Sequence, residues 1–201
     1  VRLLARDRAR VVTITGPGGV GKTRLATAAA QELVESYTDG VTFVDLAPIR
    51  DPEVVLPTIA DALAIEGDLA SQIGTGQHLL VVDNVEQVVD AAPDIAGLLV
   101  AAPGVAVLAT SREPLRIAGE REFRIRPLAE APAVELFRQR AQAARYDFEG
   151  DYRQLAAICE RLDNLPLAIE LAAARMKVLS PEALLERLDR RLSVLAAANR
   201  G

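Results

Sequence analysis

The chain has 201 residues, half of them hydrophobic and a quarter charged, with four Phe, three Tyr and no Trp. That length and apolar content give one domain, or one and a half, with a core that needs no disulfide or structural metal, and they exclude intrinsic disorder. Twenty-three basic residues against 28 acidic ones leave a net charge of −5, so this segment is not itself expected to grip nucleic acid, and so few rings build no base-stacking platform.

Val11 to Thr15 (VVTIT) is a short apolar run closed by a glycine cluster. Leu25, Ala26, Ala29, Ala30, Leu33 and Val34 then recur with a helical period. Val41 to Leu46 reads as a second strand. Asp51 followed by Pro52 is an N-cap with proline at the first helical position, opening a helix to about Leu63. Leu79 to Asp83 is a third strand, Glu86 to Ala101 a helix stopped by Pro103-Gly104, Val105 to Ala109 a fourth strand and Phe123 to Ile125 a short fifth. Near-continuous apolar strands separated by helices predict a parallel sheet covered on both faces. The expected fold is α/β, a three-layer domain with a five-stranded parallel sheet over residues 1–127.

Beyond Pro127 the pattern is helical only: Ala131 to Arg145, Tyr152 to Leu162, Leu167 to Val178, and a fourth helix opened by Ser180-Pro181-Glu182 with the stripe Leu184, Leu185, Leu188 and Leu192. Residues 128–201 are thus expected to form a small all-helical subdomain. The abrupt start and the unclosed last helix suggest a piece of a longer protein, truncated at its C-terminal end. The longest apolar stretch, Leu98 to Ala109, is broken by Pro103-Gly104 and falls short of the ~20 residues that span a bilayer. The arginines of the first ten residues are not followed by a signal-peptide core. The single cysteine, Cys159, can form no internal disulfide and the single histidine, His78, can build no metal site with it, so a reducing, cytoplasmic location is expected. Cys159 is expected in the helical core and His78 in a loop before the third strand.

Gly16-Pro17-Gly18-Gly19-Val20-Gly21-Lys22-Thr23 fits G-x-x-x-x-G-K-[ST] between a strand and a helix, the context that pattern requires. Its glycines let backbone N–H groups close on a polyphosphate, and the helix N-terminus adds partial positive charge. Lys22 would reach the terminal phosphates and Thr23 would hold Mg²⁺. Asp83 closes a buried strand, which puts it on the ligand edge of a parallel sheet, where it would hold the same Mg²⁺. Asn84 stands where a hydrolase often has a second acid to activate water. Glu86 is the nearest acid, but Asn84 with Gln87 reads as a capping box and Glu86 in the first turn as a helix-dipole partner, so fast hydrolysis is not expected. Arg112, after the fourth strand, would read the γ-phosphate, with a surface pair to Glu113 as the alternative. Pro166 opens a helix, which its fixed φ explains without a ligand. Arg121, Arg124 and Arg126 read as a solvated or paired basic patch.

Five blocks in order, TITGPGGVGKTRLA, LLVVDNVEQV, LATSREPLRIAGE, FRIRPL and ICERLDNLPLAIELAAARMKVLSPEALLERL, resemble the NB-ARC type of STAND-class P-loop NTPase. The likeness is to the nucleotide-binding module of large bacterial LuxR-type and antibiotic-regulatory-type transcription regulators. The resemblance implies a metal strand one strand away from the phosphate-loop strand. It makes Arg112 a sensor, with Lys22, Asp83 and Arg112 as the catalytic set. Gly16, Gly18, Gly19, Val20, Gly21, Lys22, Thr23, Arg24, Arg112 and Pro166 would contact the nucleotide, Pro166 at the adenine. Asn164 departs from the glycine the family often has there.

The expected function is an ATP/ADP switch module, at most a slow ATPase, of a larger signalling or transcriptional regulator. Its partners would be adenine nucleotide with Mg²⁺, the remaining domains of the parent chain, and a second copy of itself in a nucleotide-dependent way. DNA contact is expected from another domain and membrane contact from none. The alternatives are an ordinary P-loop ATPase or kinase, and an interaction module with a vestigial nucleotide site.

Overall fold

A computed structural model describes residues 1–5, 7 and 9–198, with side chains as far as Arg190. The chain divides into two units, Val1–Ile125 and Arg126–Gly201.

In the first unit, a single helical turn α1 (Arg2–Ala5) precedes β1 (Val11–Thr15), α2 (Lys22–Leu33), β2 (Gly40–Asp45), α3 (Val55–Ala62), α4 (Leu69–Ile73), β3 (His78–Asp83), α5 (Ala92–Ala101), β4 (Ala106–Ser111) and β5 (Glu120–Arg124). All five strands are parallel, in the order β2-β3-β4-β1-β5. β4 is therefore inserted between β1 and β3, and the C-terminal ends of these three strands share one edge. The run LLVV of β3 is continuous because the sheet is covered twice. Leu80 and Val82 pack with Val55, Ile59 and Ile95 on one face, and Leu79 and Val81 with Ala26, Ala30 and Leu33 on the other. The fold is the three-layer α/β arrangement.

Several elements differ from the sequence pattern. No continuous helix runs from Glu86 to Ala101. Two 3₁₀ turns, Val85–Gln87 and Val89–Ala91, are separated by Val88 (φ −141°), and α5 starts only at Ala92. Pro93 is the physical reason, since a proline fits the first turn of a helix but not its interior. β5 begins three residues before Phe123, because its ladder with β1 pairs Val11 with Glu120 through to Thr15 with Arg124. Ile125 lies beyond it, its N–H donating to Thr15 O at 2.7 Å. That edge strand is charged and largely exposed, which discourages further strand pairing. His78 opens β3 opposite Gly40 instead of lying in a loop. The short α1 and α4 carry too few residues for a periodic signal; Asp68 caps α4 by accepting from Ser71 N–H at 2.9 Å. Asp51 caps a 3₁₀ turn, Pro52–Val54, that leads into α3.

The second unit contains α6 (Glu130–Ala144), α7 (Tyr152–Arg161), α8 (Pro166–Ala173) with a 3₁₀ extension, Ala174–Lys177, and α9 (Pro181–Ala198). Phe137, Phe148, Leu155, Ile158, Ile169, Met176 and Leu184 form its core. Asp151 caps α7 through Arg153 and Gln154 N–H, and the Ser180 hydroxyl accepts from Ala183 N–H at 3.3 Å at the start of α9. The side chain of Leu192, expected in the α9 stripe, lies outside the described residues. No helix among the described residues is long and apolar enough to cross a membrane.

Cys159 is fully buried on α7, and burial pushes its thiol up to about 11. The thiolate is disfavoured only in the folded state, so this group's contribution to stability is complete below 9.0, the ordinary value, and is lost as pH rises through about 11. At pH 8 the folded chain is expected to react with a thiol reagent at least about tenfold more slowly than the urea-unfolded chain. Equal rates would place the thiol at the surface.

Candidate nucleotide-binding site

The loop after β1 is shaped by backbone geometry. A Cβ on Gly16 would lie 2.7 Å from the carbonyl oxygen of Ile125, so the loop passes too close to the end of β5 for any side chain. Gly21 takes φ 102°, a left-handed value that turns the loop into α2 without a side-chain cap. The first-turn N–H groups of a twelve-residue helix thus face the loop without a side-chain acceptor. Val20 is buried and anchors the loop; Gly18 and Gly19 form its outer part.

Lys22, only 8% exposed, folds back over this loop, its Nζ donating to Gly16 O at 3.0 Å and to Pro17 O at 3.3 Å. Thr23 donates its hydroxyl to Asp83, with both carboxylate oxygens at 2.9 Å. Asp83 is 4% exposed. A carboxylate so buried is costly unless hydrogen-bonded, and two further donors satisfy it. Thr110 Oγ1 donates to its Oδ1 at 2.5 Å, and Asn84 Nδ2 to its Oδ2 at 3.0 Å. Thr110, fully buried on β4, also accepts from Asn84 N–H at 3.1 Å. It reaches Asp83 because β4 and β3 are neighbours. The sequence puts Thr110 after the apolar run of the fourth strand, on the same edge as Asp83, but gives it no role; its one signal is a polar residue following that run. Asn84 Nδ2 also lies 3.3 Å from Asp45 Oδ1, on the next strand.

Asn84 does not cap a helix. It adopts a left-handed conformation (φ 63°), and its side chain turns to the two aspartates. The capping box with Gln87 is therefore absent, since a residue in that conformation cannot project its side chain along an N-terminal turn. Arg112, past the end of β4, pairs with Glu86, its Nε 3.5 Å from Oε1, while Glu113 pairs with Arg116. Arg24 is exposed on α2, one residue beyond Thr23. Arg121 and Arg124 are exposed on β5 and Arg126 follows. Pro166 belongs to the second unit, at the first position of α8 after the left-handed pair Asp163 and Asn164.

The donor set is a hydroxyl and a carboxylate beside a helix N-terminus, all hard oxygens. That chemistry fits Mg²⁺ shared with a phosphate group, with Thr23 and Asp83 as the protein's ligands. An Asp83→Ala variant is expected to lose most of the Mg²⁺ dependence of nucleotide binding, at least about tenfold in affinity. Titration with and without EDTA measures it, and an unchanged Mg²⁺ dependence would remove Asp83 from the metal site.

No family model matches the chain. It is 42% identical over 214 residues to a Mycobacterium tuberculosis protein named as an HTH-type transcriptional regulator, covering 99% of this chain and 24% of that protein. A second M. tuberculosis protein is 38% identical over 211 residues (98% and 53% covered). The regulatory protein AfsR of Streptomyces griseus is 32% identical over 184 residues (83% and 18% covered). The chain thus spans about half or less of the length of these relatives. Among solved structures, Drosophila ORC bound to DNA has a TM-score of 0.63 at 16% identity, covering 94% of this chain and 61% of that one. Domain III of the Thermotoga maritima replication initiation protein DnaA has a TM-score of 0.60 at 15% identity, covering 94% and 87%. The ORC2 protein of Aeropyrum pernix, solved as ADPNP-ADP complexes, has a TM-score of 0.58 at 14% identity, covering 93% and 64%. These likenesses are of fold. The fold is a P-loop α/β fold with a helical unit. The chain is a module of that fold, similar to one segment of proteins named as regulators.

Proposed function

We propose that this chain is an adenine-nucleotide switch of the NB-ARC, STAND type within a larger bacterial regulator, in which ATP and ADP favour different states. The observation that carries the reading is the joined Thr23–Asp83 pair beside the uncapped start of α2, with Lys22 folded over the same loop. In this reading the loop N–H groups and Lys22 bind the phosphates, and Thr23 and Asp83 hold Mg²⁺, whose charge neutralises the phosphate oxygens. Thr110 and Asn84 keep Asp83 oriented. The part of Pro166, an adenine contact, rests on the sequence resemblance.

Hydrolysis is slow in this reading. The residue beside the metal aspartate is an amide that donates to Asp83 and accepts no proton from water. Turnover above about 1 s⁻¹, in the ordinary enzyme range, would favour an ordinary ATPase instead. DNA binding and signal sensing belong to the rest of the parent chain, and self-association would follow nucleotide state.

A switch requires differential affinity of its states for the two nucleotides. Arg112 supplies the difference as a permanently charged donor near the loop. Arg112→Ala is expected to weaken ATP binding about tenfold more than ADP binding, the size of one lost charge-assisted hydrogen bond. Isothermal titration with both nucleotides measures the ratio, and equal loss for both would end the sensor reading.

A further inference from the structure

Glu86 has no part in the reading above, and its setting is unusual for a carboxylate. The left-handed Asn84 turns the chain at the end of β3, and the fully buried Val85 anchors the turn that follows. Glu86 is thereby carried toward the end of β4, its side chain only 16% exposed. Its Oε1 lies 3.5 Å from Arg112 Nε, and its Oε2 is buried without a hydrogen-bond partner. Arg112 itself is 66% exposed. A terminal nitrogen of its guanidinium reaches the phosphate loop, where a Cβ on Gly18 would lie 3.9 Å from Nη2. One guanidinium therefore spans the carboxylate and the loop, with Nε toward Glu86 and Nη2 toward Gly18.

A guanidinium is a rigid planar fork on a long, flexible stem. Left to solvent, that stem samples many rotamers, and fixing its direction costs entropy on binding. A sunken carboxylate that holds Nε removes much of that freedom and leaves the terminal N–H groups for an anion. An ordinary surface ion pair exposes both partners. Here the acid is sunk and the arginine is not, which is the arrangement of an anchor and a reaching arm.

We propose that Glu86 is a positioning residue that holds Arg112 at its Nε, aims its terminal N–H groups at the phosphate loop, and so sets the preference for a nucleoside triphosphate over a diphosphate. The proposal rests on Arg112 reading the terminal phosphate, and the test separates the two.

The dissociation constants of Mg·ATP and Mg·ADP are measured by titration calorimetry for the 201-residue chain and for Arg112→Ala, Glu86→Ala, Glu86→Gln and the Glu86→Ala/Arg112→Ala double variant, alongside single-turnover hydrolysis. Glu86→Ala is expected to lower the ATP-to-ADP affinity ratio several-fold, up to about tenfold. Glu86→Gln recovers part of the ratio, because its amide oxygen keeps a dipole within reach of Nε, and it keeps the test open if the alanine variant does not fold. The double variant falls no further than Arg112→Ala alone. If Arg112→Ala lowers the ratio and neither Glu86 variant does, or if the two effects add, the positioning role is overturned and the sensor stands. If Arg112→Ala leaves the ratio unchanged, both are overturned. If Glu86→Gln keeps the ratio and abolishes hydrolysis, Glu86 acts on water and the positioning role is also overturned.

Discussion

Mg·ATP and Mg·ADP, each at about a hundred times its Kd, are expected to raise the melting temperature of the chain by roughly 5–10 °C, and Lys22→Ala to abolish the rise. The size follows from linkage, since a ligand at that saturation stabilises the folded state by about 2.7 kcal/mol. For a chain of this length about 2–4 °C accompanies each kcal/mol. Lys22 is the sensitive position because its ammonium is already drawn over the loop by Gly16 O and Pro17 O. In alanine the backbone cradle persists but the Lys22 ammonium is gone. Pro17 is exposed and its carbonyl can turn to water, whereas Gly16 is buried and its carbonyl loses a donor. The nucleotide-free melting temperature is therefore expected to fall modestly while the cooperative transition persists. That control separates a lost site from a lost fold. Mg·GTP alongside tests the base. A rise that persists in Lys22→Ala would mean that the nucleotide binds elsewhere, and no rise with any nucleotide would favour an interaction module.

Phe137→Ala is expected to cost about 3–5 kcal/mol, the loss for a fully buried aromatic ring. Phe137 lies at the centre of the second unit's core. Its ring centroid is 6.3 Å from that of Phe148 at 47°, and the Arg145 guanidinium carbon sits 5.3 Å from the Phe148 centroid. Ordinary domains hold only about 5–15 kcal/mol in total, so the loss is a large fraction of what keeps these helices folded. Urea unfolding followed by far-UV circular dichroism measures it. A midpoint shift worth under about 1 kcal/mol would mean that the site collapses readily or that Phe137 is not packed as described.

Local chemistry was legible from the residue order. The phosphate loop announces itself because its glycines, Lys22 and Thr23 act within eight consecutive positions, between an apolar run and a helical period. Asp83 could be placed at the ligand edge because it ends a buried strand, and Cys159 in the core because it lies on the apolar side of α7. The helices of the second unit were legible for the same reason, since Pro166 and Ser180-Pro181 act on the turns next to them. Pro93 was equally local, and a helix drawn through it conflicts with the proline's missing N–H.

The partners across the sheet were set by tertiary structure alone. Thr23 meets Asp83, Thr110 meets Asp83, and Glu86 meets Arg112 because β4 lies between β1 and β3. Hydrophobic periodicity says that a strand is buried; it does not say which strand lies beside it. That choice depends on which helices cover which face, a sum over long-range contacts that no short window of sequence contains. The same holds for β5, whose charged residues form a strand only because β1 offers them a ladder. It holds for Asn84, whose left-handed turn is stabilised by a hydroxyl on β4 and two carboxylates on β2 and β3. The residue types of a phosphate site are therefore written locally, while their hydrogen-bond partners exist only once the strand order has brought distant segments to one edge.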